Sequence, residues 1–166
     1  MTPPMLVRDL MTVGVPTCKW NTPIQDIARF LVENNVEALC VLDSEGHGIG
    51  VIGSEELVLA YTKEENEPVV AEDIMAEGVP ELQAELPLNT AVEIMRDKGT
   101  RIAYMLHNSG GIIYPAAFIS YRHILRHMAA KNEEELKDLG LEAARKSPVQ
   151  TFIERRDAAR KRAGLG

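Results

Sequence analysis

The sequence contains few cysteines, few aromatic residues and no long apolar run. Two cysteines in 166 residues are too few for a disulfide framework or a four-ligand zinc site, so Cys18 and Cys40 are expected to be reduced, half-buried thiols. No segment approaches the roughly 18 to 20 apolar residues of a membrane span, and the N-terminus lacks the basic and apolar blocks of a secretory signal. A cytoplasmic location without membrane attachment is therefore expected.

The sequence also lacks the common catalytic motifs. It contains no G-x-S-x-G nucleophile turn, Walker loop, HExxH pair or Cys/His zinc spacing. We therefore expect a protein that is not an enzyme. The hydrophobic content of 45% suffices for a core without a metal or disulfide.

Charge is unevenly distributed. Lys and Arg total 18 against 25 Asp and Glu, giving a net charge of −7. From residue 131 onward nine basic residues face seven acidic ones, which leaves 9 and 18 for the rest of the chain. Because binding to a phosphate backbone needs a basic surface, nucleic acid is disfavoured as a partner.

An internal repeat organises the first 129 residues. Shifting the sequence by 64 residues places residues 7–24 over residues 71–88. The matched positions are Asp9 with Asp73, Met11 with Met75, Gly14-Val15-Pro16 with Gly78-Val79-Pro80, and Pro23 with Pro87. A chain with such self-similarity is expected to fold as two copies of one supersecondary unit.

Each copy predicts the same order of elements. Apolar residues at helical spacing follow Pro23 and Pro87, with Pro at the first helical position and Thr22 as the candidate cap of the first helix. Short apolar runs at 38–42 and 102–106 predict buried strands, and second strands are expected at 49–52 and about 113–119, with a three-residue insertion in the second copy. Helices are then expected to start at Ser54 and Ser120. This alternation predicts an α/β sheet with helices on one face.

The GVP-like start of each half, the NNVEALCVLD strand and the GVIGSEEL turn resemble the CBS domain, and the two copies resemble a Bateman module. The resemblance implies two tandem β-α-β-β-α repeats, at residues 5–65 and 69–130, packed as a pseudo-two-fold module with a charged helical extension at 131–166. It implies a regulatory sensor rather than a catalyst. The expected ligand is AMP, ADP, ATP or NAD, or S-adenosylmethionine, with no cofactor required.

By the same resemblance, two clefts form where the first residues and second strand of one repeat meet a helix start of the other. A helix start suits a phosphate because it presents free N–H groups and the positive end of the helix dipole. The first cleft combines Gly14, Pro16, Val36, Glu37, Ser120, Arg122 and His123. The second combines Gly78, Pro80, Thr100, Arg101, Gly53, Ser54 and Glu56.

Both clefts depart from the family pattern Gly-apolar-apolar-Ser/Thr-x-x-Asp. In the first, Ser120 and Arg122 fit a phosphate, but His123 replaces the ribose-binding Asp. We rank this cleft above the second. Because a protonated His123 would assist phosphate binding, affinity is expected to weaken as the pH rises through about 6.5.

The charged residues do not favour the same cleft as the helix-start residues do for binding a phosphate. Glu37 would repel a phosphate in the first cleft, whereas Arg101 would attract one in the second. In the second cleft Gly53 replaces the hydroxyl, while Glu56 keeps a carboxylate one methylene longer than Asp.

Other readings stay open for single residues. His123 and His127 have a spacing that can chelate a metal, although no third ligand is evident and no metal is expected. Cys18 and Cys40 could approach each other and form a redox switch. Trp20 could stack on an adenine or pack at a subunit contact, and the EENE segment at 64–67 is expected to be a solvated linker.

The extension after Ala130 is expected to be helical, with Asn132 and Glu135 as a capping box and a second helix from Ser147-Pro148. Its apolar residues are expected to pack against a surface of this chain or of a second subunit. The sequence therefore predicts a homodimer and an unidentified protein partner for the extension. A ligand-free scaffold for dimerisation and protein interaction is the alternative function.

Overall fold

The computed structural model describes residues 3–63 and 67–136, with Arg156, Arg160, Arg162 and Gly164. The described residues form two compact units that divide between Tyr121 and Arg122. The linker positions 64–66 and the extension positions Leu139, Ala143, Ser147, Pro148, Phe152 and Ile153 lie outside the described residues. None of the helices in the described ranges combines the length and apolar composition that crossing a bilayer requires.

The elements follow the order expected from the repeat. In the first half they are α1 (Val7–Leu10), β1 (Thr12–Val13), β2 (Thr17–Lys19), α2 (Ile24–Asn34), β3 (Ala38–Leu42), β4 (Gly48–Gly53) and α3 (Ser54–Tyr61). In the second half they are α4 (Ala71–Ile74), β5 (Ala76–Glu77), α5 (Leu88–Asp97), β6 (Ile102–Ser109), β7 (Ile112–Ser120) and α6 (Tyr121–Ala129). A short helix, α7 (Glu133–Leu136), follows in the extension.

The strands form two sheets, each of which contains a strand from the other repeat. The sheet orders are β2-β3-β4-β5 and β1-β7-β6. β1 pairs antiparallel with β7, Val13 lying opposite Ala117, and β5 pairs antiparallel with β4, Glu77 lying opposite Gly50. The two registers coincide once the 64-residue shift and the three-residue insertion are applied. Each repeat therefore completes the sheet of the other, and the mixed α/β fold is confirmed.

Backbone hydrogen bonds repeat this exchange around α1 and α4. Each short helix bonds to the segment before the long helix of the other repeat, and that long helix bonds back. The N–H donors and carbonyl acceptors are Val7 to Leu86 at 2.9 Å, Ala71 to Thr22 at 2.9 Å, Leu88 to Met5 at 2.8 Å and Ile24 to Val69 at 3.1 Å. The two repeats are therefore joined by backbone N–H and C=O groups, which are present whatever the side chains are.

The Asp residues matched by the repeat cap these short helices. The N–H of Leu6 donates to Asp9 Oδ2 at 2.8 Å, and the N–H of Val70 donates to Asp73 Oδ2 at 2.9 Å. A carboxylate in a first turn also interacts favourably with the helix dipole. Local helix geometry thus accounts for this sequence match.

The four-stranded sheet is buried on both faces. One face carries Leu39, Val41 and Ile52, which pack against Ile27 and Leu31 of α2. The other face carries Ala38, Cys40 and Val51, which pack against Ile102 and Tyr104 of β6. One face is therefore covered by helices and the other by the second repeat.

The two cysteines lie on opposite faces of this sheet. Cys18 packs beside Leu39 and Val41 on the helix side, whereas Cys40 faces Tyr104. Burial raises the pKa of the Cys18 thiol to about 11. Burial, with the nearby Cys18, raises that of Cys40 to about 12. Both thiols are therefore protonated near neutral pH, and they do not face each other as a redox pair would require.

Several boundaries differ from expectation. α2 and α5 begin one residue after Pro23 and Pro87, which stand before the first turn, and Thr22 provides no side-chain cap to α2. α6 begins at Tyr121 instead of Ser120. β6 extends to Ser109 because its hairpin with β7 includes the insertion.

The second unit contains most of α6 together with α7. Asn132 Oδ1 accepts the N–H of Glu135 at 2.8 Å, and Glu135 Oε2 accepts the N–H of Lys131 at 2.7 Å. The predicted cap is therefore present at α7, with the return bond displaced by one residue. His123 of α6 is buried, whereas Leu125 and Met128 are exposed.

Replacing Ile27 by Ala is expected to lower the free energy of unfolding by about 2 to 5 kcal/mol, because the side chain is 1% exposed in the helix-side core. Val32 lies on the same helix but is 83% exposed, so Val32→Ala is the matched control and should change stability by less than about 0.5 kcal/mol. Urea denaturation of both variants provides the measurement. Equal losses would contradict the orientation of α2.

Replacing Tyr104 by Phe is expected to raise the free energy of unfolding by about 1 kcal/mol. The Tyr104 side chain is buried, and its hydroxyl has no hydrogen-bond partner within the described part of the chain. Phe keeps the ring packing and removes the unsatisfied group. Urea denaturation is compared with the half-buried Tyr114→Phe, which should be near neutral; a destabilised Tyr104→Phe protein would show that the hydroxyl is bonded in solution.

Candidate functional site

The start of α3 is partly occupied by a side chain of the same helix. The N–H of Gly53 donates to Glu56 Oε2 at 2.7 Å. Gly53 is the residue that replaces the family's phosphate-facing hydroxyl, and the backbone O of Glu37 would lie 3.1 Å from a Cβ placed there. Glu56 therefore caps its helix, and a ribose would have to share its carboxylate.

An open groove of about 330 Å³ lies beside this helix start. Its lining residues are Ser54, Glu55, Val58, Leu59 and Arg101. The groove thus brings together two of the residues predicted for the second cleft, Ser54 from the first repeat and Arg101 from the second. Arg101 makes no ion pair within the described ranges, so its charge is available to an anion.

Arg101 also adjoins the second helix start. Its backbone carbonyl accepts the N–H of Tyr121, the first residue of α6, at 3.0 Å. Ser120, one residue earlier, is buried with 1% exposure. The hydroxyl that was expected to face a phosphate is therefore largely enclosed, while the exposed groove lies at the other helix start.

The burial of His123 contradicts the pH dependence expected from the sequence. Burial, with the nearby positive charge of Arg126, lowers the pKa of His123 to about 4. The side chain is therefore neutral across the range around pH 6.5 in which it was expected to gain a proton. An uncharged His123 supplies no cation for a phosphate near neutral pH.

The loop residues predicted for the clefts hold the backbone in place. Gly14 and Gly78 have φ angles of 90° and 82°, which other residues adopt only with strain. Their N–H groups donate to the carbonyls of Ala116 and Ile49, both at 2.9 Å. These bonds align the short strands β1 and β5 with the opposite repeat.

The remaining predicted residues also have structural contacts. The backbone carbonyls of Pro16 and Pro80 accept the N–H groups of Cys40 at 3.0 Å and Tyr104 at 2.8 Å, respectively. Thr100 Oγ1 donates to the Ile102 carbonyl at 2.6 Å. Val36 packs at the edge of the helix-side core, and the Glu37 side chain is exposed. Arg122 and His123 belong to the second compact unit, and the composition of the first cleft stays a prediction.

Sequence reasoning missed Glu55, Val58 and Leu59 as groove residues. Helical spacing groups Leu57, Val58 and Tyr61 as one apolar face, but Val58, Leu59 and Tyr61 are exposed, so the sequence carried no usable signal for these groove residues. No group of three or more His, Cys, Asp or Glu side chains in the described part of the chain is placed to hold a metal ion.

Two comparisons concern sequence. The CBS domain family model matches residues 7–63. An uncharacterised protein of Methanopyrus kandleri is 28% identical over 132 residues, which cover 78% of this chain and 65% of that protein. The chain thus spans less than two thirds of this curated relative.

Two solved structures share the fold. The CBS domain pair of protein MJ0100, in complex with 5′-methylthioadenosine and S-adenosyl-L-methionine, superposes with a TM-score of 0.67 at 21% identity, covering 78% of this chain and all of that one. CBSX2 in complex with AMP gives a TM-score of 0.58 at 19% identity, with 74% and 95% coverage. Residues 7–63 therefore match the CBS domain family, and the chain as described has the fold of a CBS domain pair.

Proposed function

We propose that this chain is a regulatory module that senses an adenosine-containing ligand between its two repeats and changes its dimer or partner contacts on binding. The observation that carries the proposal is the groove in which Ser54 of one repeat meets Arg101 of the other. A ligand held by residues of both repeats stabilises the arrangement to which it binds best, which is the requirement for a sensor.

The chemistry of this groove suits a nucleotide in part. Arg101 offers a cation for a phosphate, Ser54 offers a hydroxyl at a helix start, and Val58 and Leu59 offer apolar surface for a base. Glu55 and Glu56 oppose an anion at the same helix. We therefore propose AMP or a less charged adenosine compound, such as S-adenosylmethionine, ahead of ADP and ATP.

The relatives support the ligand class. The solved CBS domain pair of MJ0100 holds 5′-methylthioadenosine and S-adenosyl-L-methionine, and CBSX2 holds AMP. Because both proteins are complexes with bound adenosine compounds, we propose a binding and regulatory role for this chain rather than a catalytic one.

Specific features also favour the scaffold alternative. Ser120 is buried, Glu56 is bonded to its own helix, and His123 is neutral near pH 7. Each removes part of a nucleotide site. A protein in which the paired repeats serve only for dimerisation and protein interaction would show these features without binding any adenosine ligand.

The Arg101→Ala variant is expected to bind AMP at least about tenfold more weakly than the parent, because a hydrogen bond to a charged group contributes about 1.5 to 3 kcal/mol. Isothermal titration calorimetry measures the affinity. Arg96→Ala, in which an exposed Arg beside Asp97 is removed, is the charge-matched control and should bind normally.

Because His123 is neutral, parent affinity should not change through His123 between pH 6 and 8.

Two other outcomes discriminate between the clefts and between the functions. If Arg101→Ala binds AMP normally and the double variant Ser120→Ala and Arg122→Ala loses affinity, the ligand binds in the first cleft instead. If the parent protein binds none of AMP, adenosine and S-adenosylmethionine, the scaffold function replaces the sensor.

We further propose that the module forms a homodimer through α3. Three large hydrophobic side chains of this eight-residue helix are exposed, Val58 at 64%, Leu59 at 61% and Tyr61 at 91%. Val58 and Leu59 also line the groove, so a ligand bound there would alter the dimer contact, as the proposed sensor requires. A two-fold interface uses the same patch twice, so one such helix face is enough to join two copies. The unidentified partner of the extension stays a separate proposal.

Light scattering is expected to give twice the 18.4 kDa chain mass for the parent protein and the single mass for Leu59→Glu. A buried unpaired carboxylate at the two-fold contact opposes association. Val32→Glu places the same charge on the exposed part of α2 and should remain dimeric. A monomeric parent would contradict the dimer, and a dimeric Leu59→Glu protein would place the contact elsewhere.

A further inference from the structure

The hairpin of β6 and β7 breaks the symmetry between the repeats. β6 and β7 pair from Ile102 with Ser120 out to Ser109 with Ile112, whereas β3 and β4 pair only from Ala38 with Gly53 to Leu42 with Gly48. The three-residue insertion lengthens the second hairpin. The end of this hairpin therefore extends beyond the length that the two repeats have in common.

The end of this hairpin is bonded to the turn between β3 and β4. The N–H of Ile113 donates to His47 Nδ1 at 3.1 Å. A Cβ placed on Gly46 would lie 3.7 Å from Ile112 Cγ2, and one on Gly48 would lie 3.6 Å from Pro115 Cδ. One hydrogen bond and close apolar packing thus join the two repeats at this end.

The turn holds the imidazole in one orientation. Asp43 Oδ1 accepts the N–H groups of Glu45 and His47, each at 2.9 Å, and the Asp43 N–H donates to the His47 carbonyl at 3.0 Å. His47 Nε2 lies 3.3 Å from Glu45 Oε2. These partners assign the proton of the neutral ring to Nε2 and leave Nδ1 as the acceptor for Ile113.

We propose that His47 is a pH-sensitive latch between the two repeats, closed while its imidazole is neutral and opened by protonation. A proton on Nδ1 converts the acceptor into a donor, which would point at the N–H of Ile113. The bond between the turn and the hairpin is then lost, and the edge of β7 is released at this position.

The charged groups that face His47 belong to its own turn. They are the carboxylates of Asp43 and Glu45. Desolvation opposes the ionisation of Asp43, but the N–H groups of His47 and Glu45 outweigh it and hold the pKa of Asp43 below its usual range. The hairpin group that contacts His47 is the Ile113 N–H. The His107 and Tyr114 rings of the same hairpin pack against each other, with their centroids 5.5 Å apart. The latch therefore opens as the pH falls.

Hydrogen exchange of the Ile113 amide, followed by NMR and corrected for the intrinsic exchange rate, tests the latch in the full chain. Protection in the parent protein is expected to fall about threefold to tenfold from pH 8 to pH 5, the effect of losing one neutral hydrogen bond. In His47→Asn, whose amide oxygen can replace Nδ1 and cannot titrate, protection should be independent of pH. His107→Asn is the matched control and should behave as the parent does.

The outcomes separate the latch from general acid destabilisation. Equal protection of Ile113 at pH 8 and pH 5 in the parent would overturn the proposal, and so would a persistent pH response in His47→Asn. A response in the parent that His107→Asn also abolishes would assign the effect to the hairpin ring pair, again contradicting the latch. Amides of the buried strand β3 should keep their protection at both pH values.

Discussion

The fold depends on a reciprocal exchange of backbone segments between the two repeats. α1 and β1 bond to the second repeat, and α4 and β5 bond to the first, with Val7 to Leu86 and Ala71 to Thr22 as equivalent bonds of 2.9 Å. Buried backbone groups must find partners, and here each repeat supplies those that the other lacks. A single repeat would leave both an open sheet edge and unbonded amides.

This exchange determines where the candidate ligand groups lie. β5 pairs with β4, so the first residues of the second repeat lie in the sheet of the first. Arg101, just before β6, lines a groove with Ser54 of the first repeat. The same packing covers Cys40 and Tyr104 in the interior between the sheets. Residues that look equivalent in the repeat thus differ in accessibility, and only some of them are left for binding.

Helix capping explains why the two repeats share an Asp at matched positions, and it also limits how well a capped helix start can bind a phosphate. Asp9, Asp73 and Glu56 accept the N–H groups of the residues that immediately precede their helices, which are Leu6, Val70 and Gly53. A carboxylate that satisfies a helix start reduces the attraction of that helix for a phosphate. At α3 the capping carboxylate therefore occupies the position that an anion would need, and Arg101 is the cation that the neighbouring groove offers.

The sequence by itself determined the repeat, the order of elements and the α/β class, because apolar spacing and turn residues act over a few neighbours. β3 was predicted with its observed limits, Ala38–Leu42. Only the tertiary structure decided that Val32 is exposed, that Ser120 and His123 are buried, and that His47 meets Ile113. Those properties depend on which surfaces pack together across long sequence separations, and a residue pattern carries no information about the desolvation that lowers the pKa of His123 to about 4.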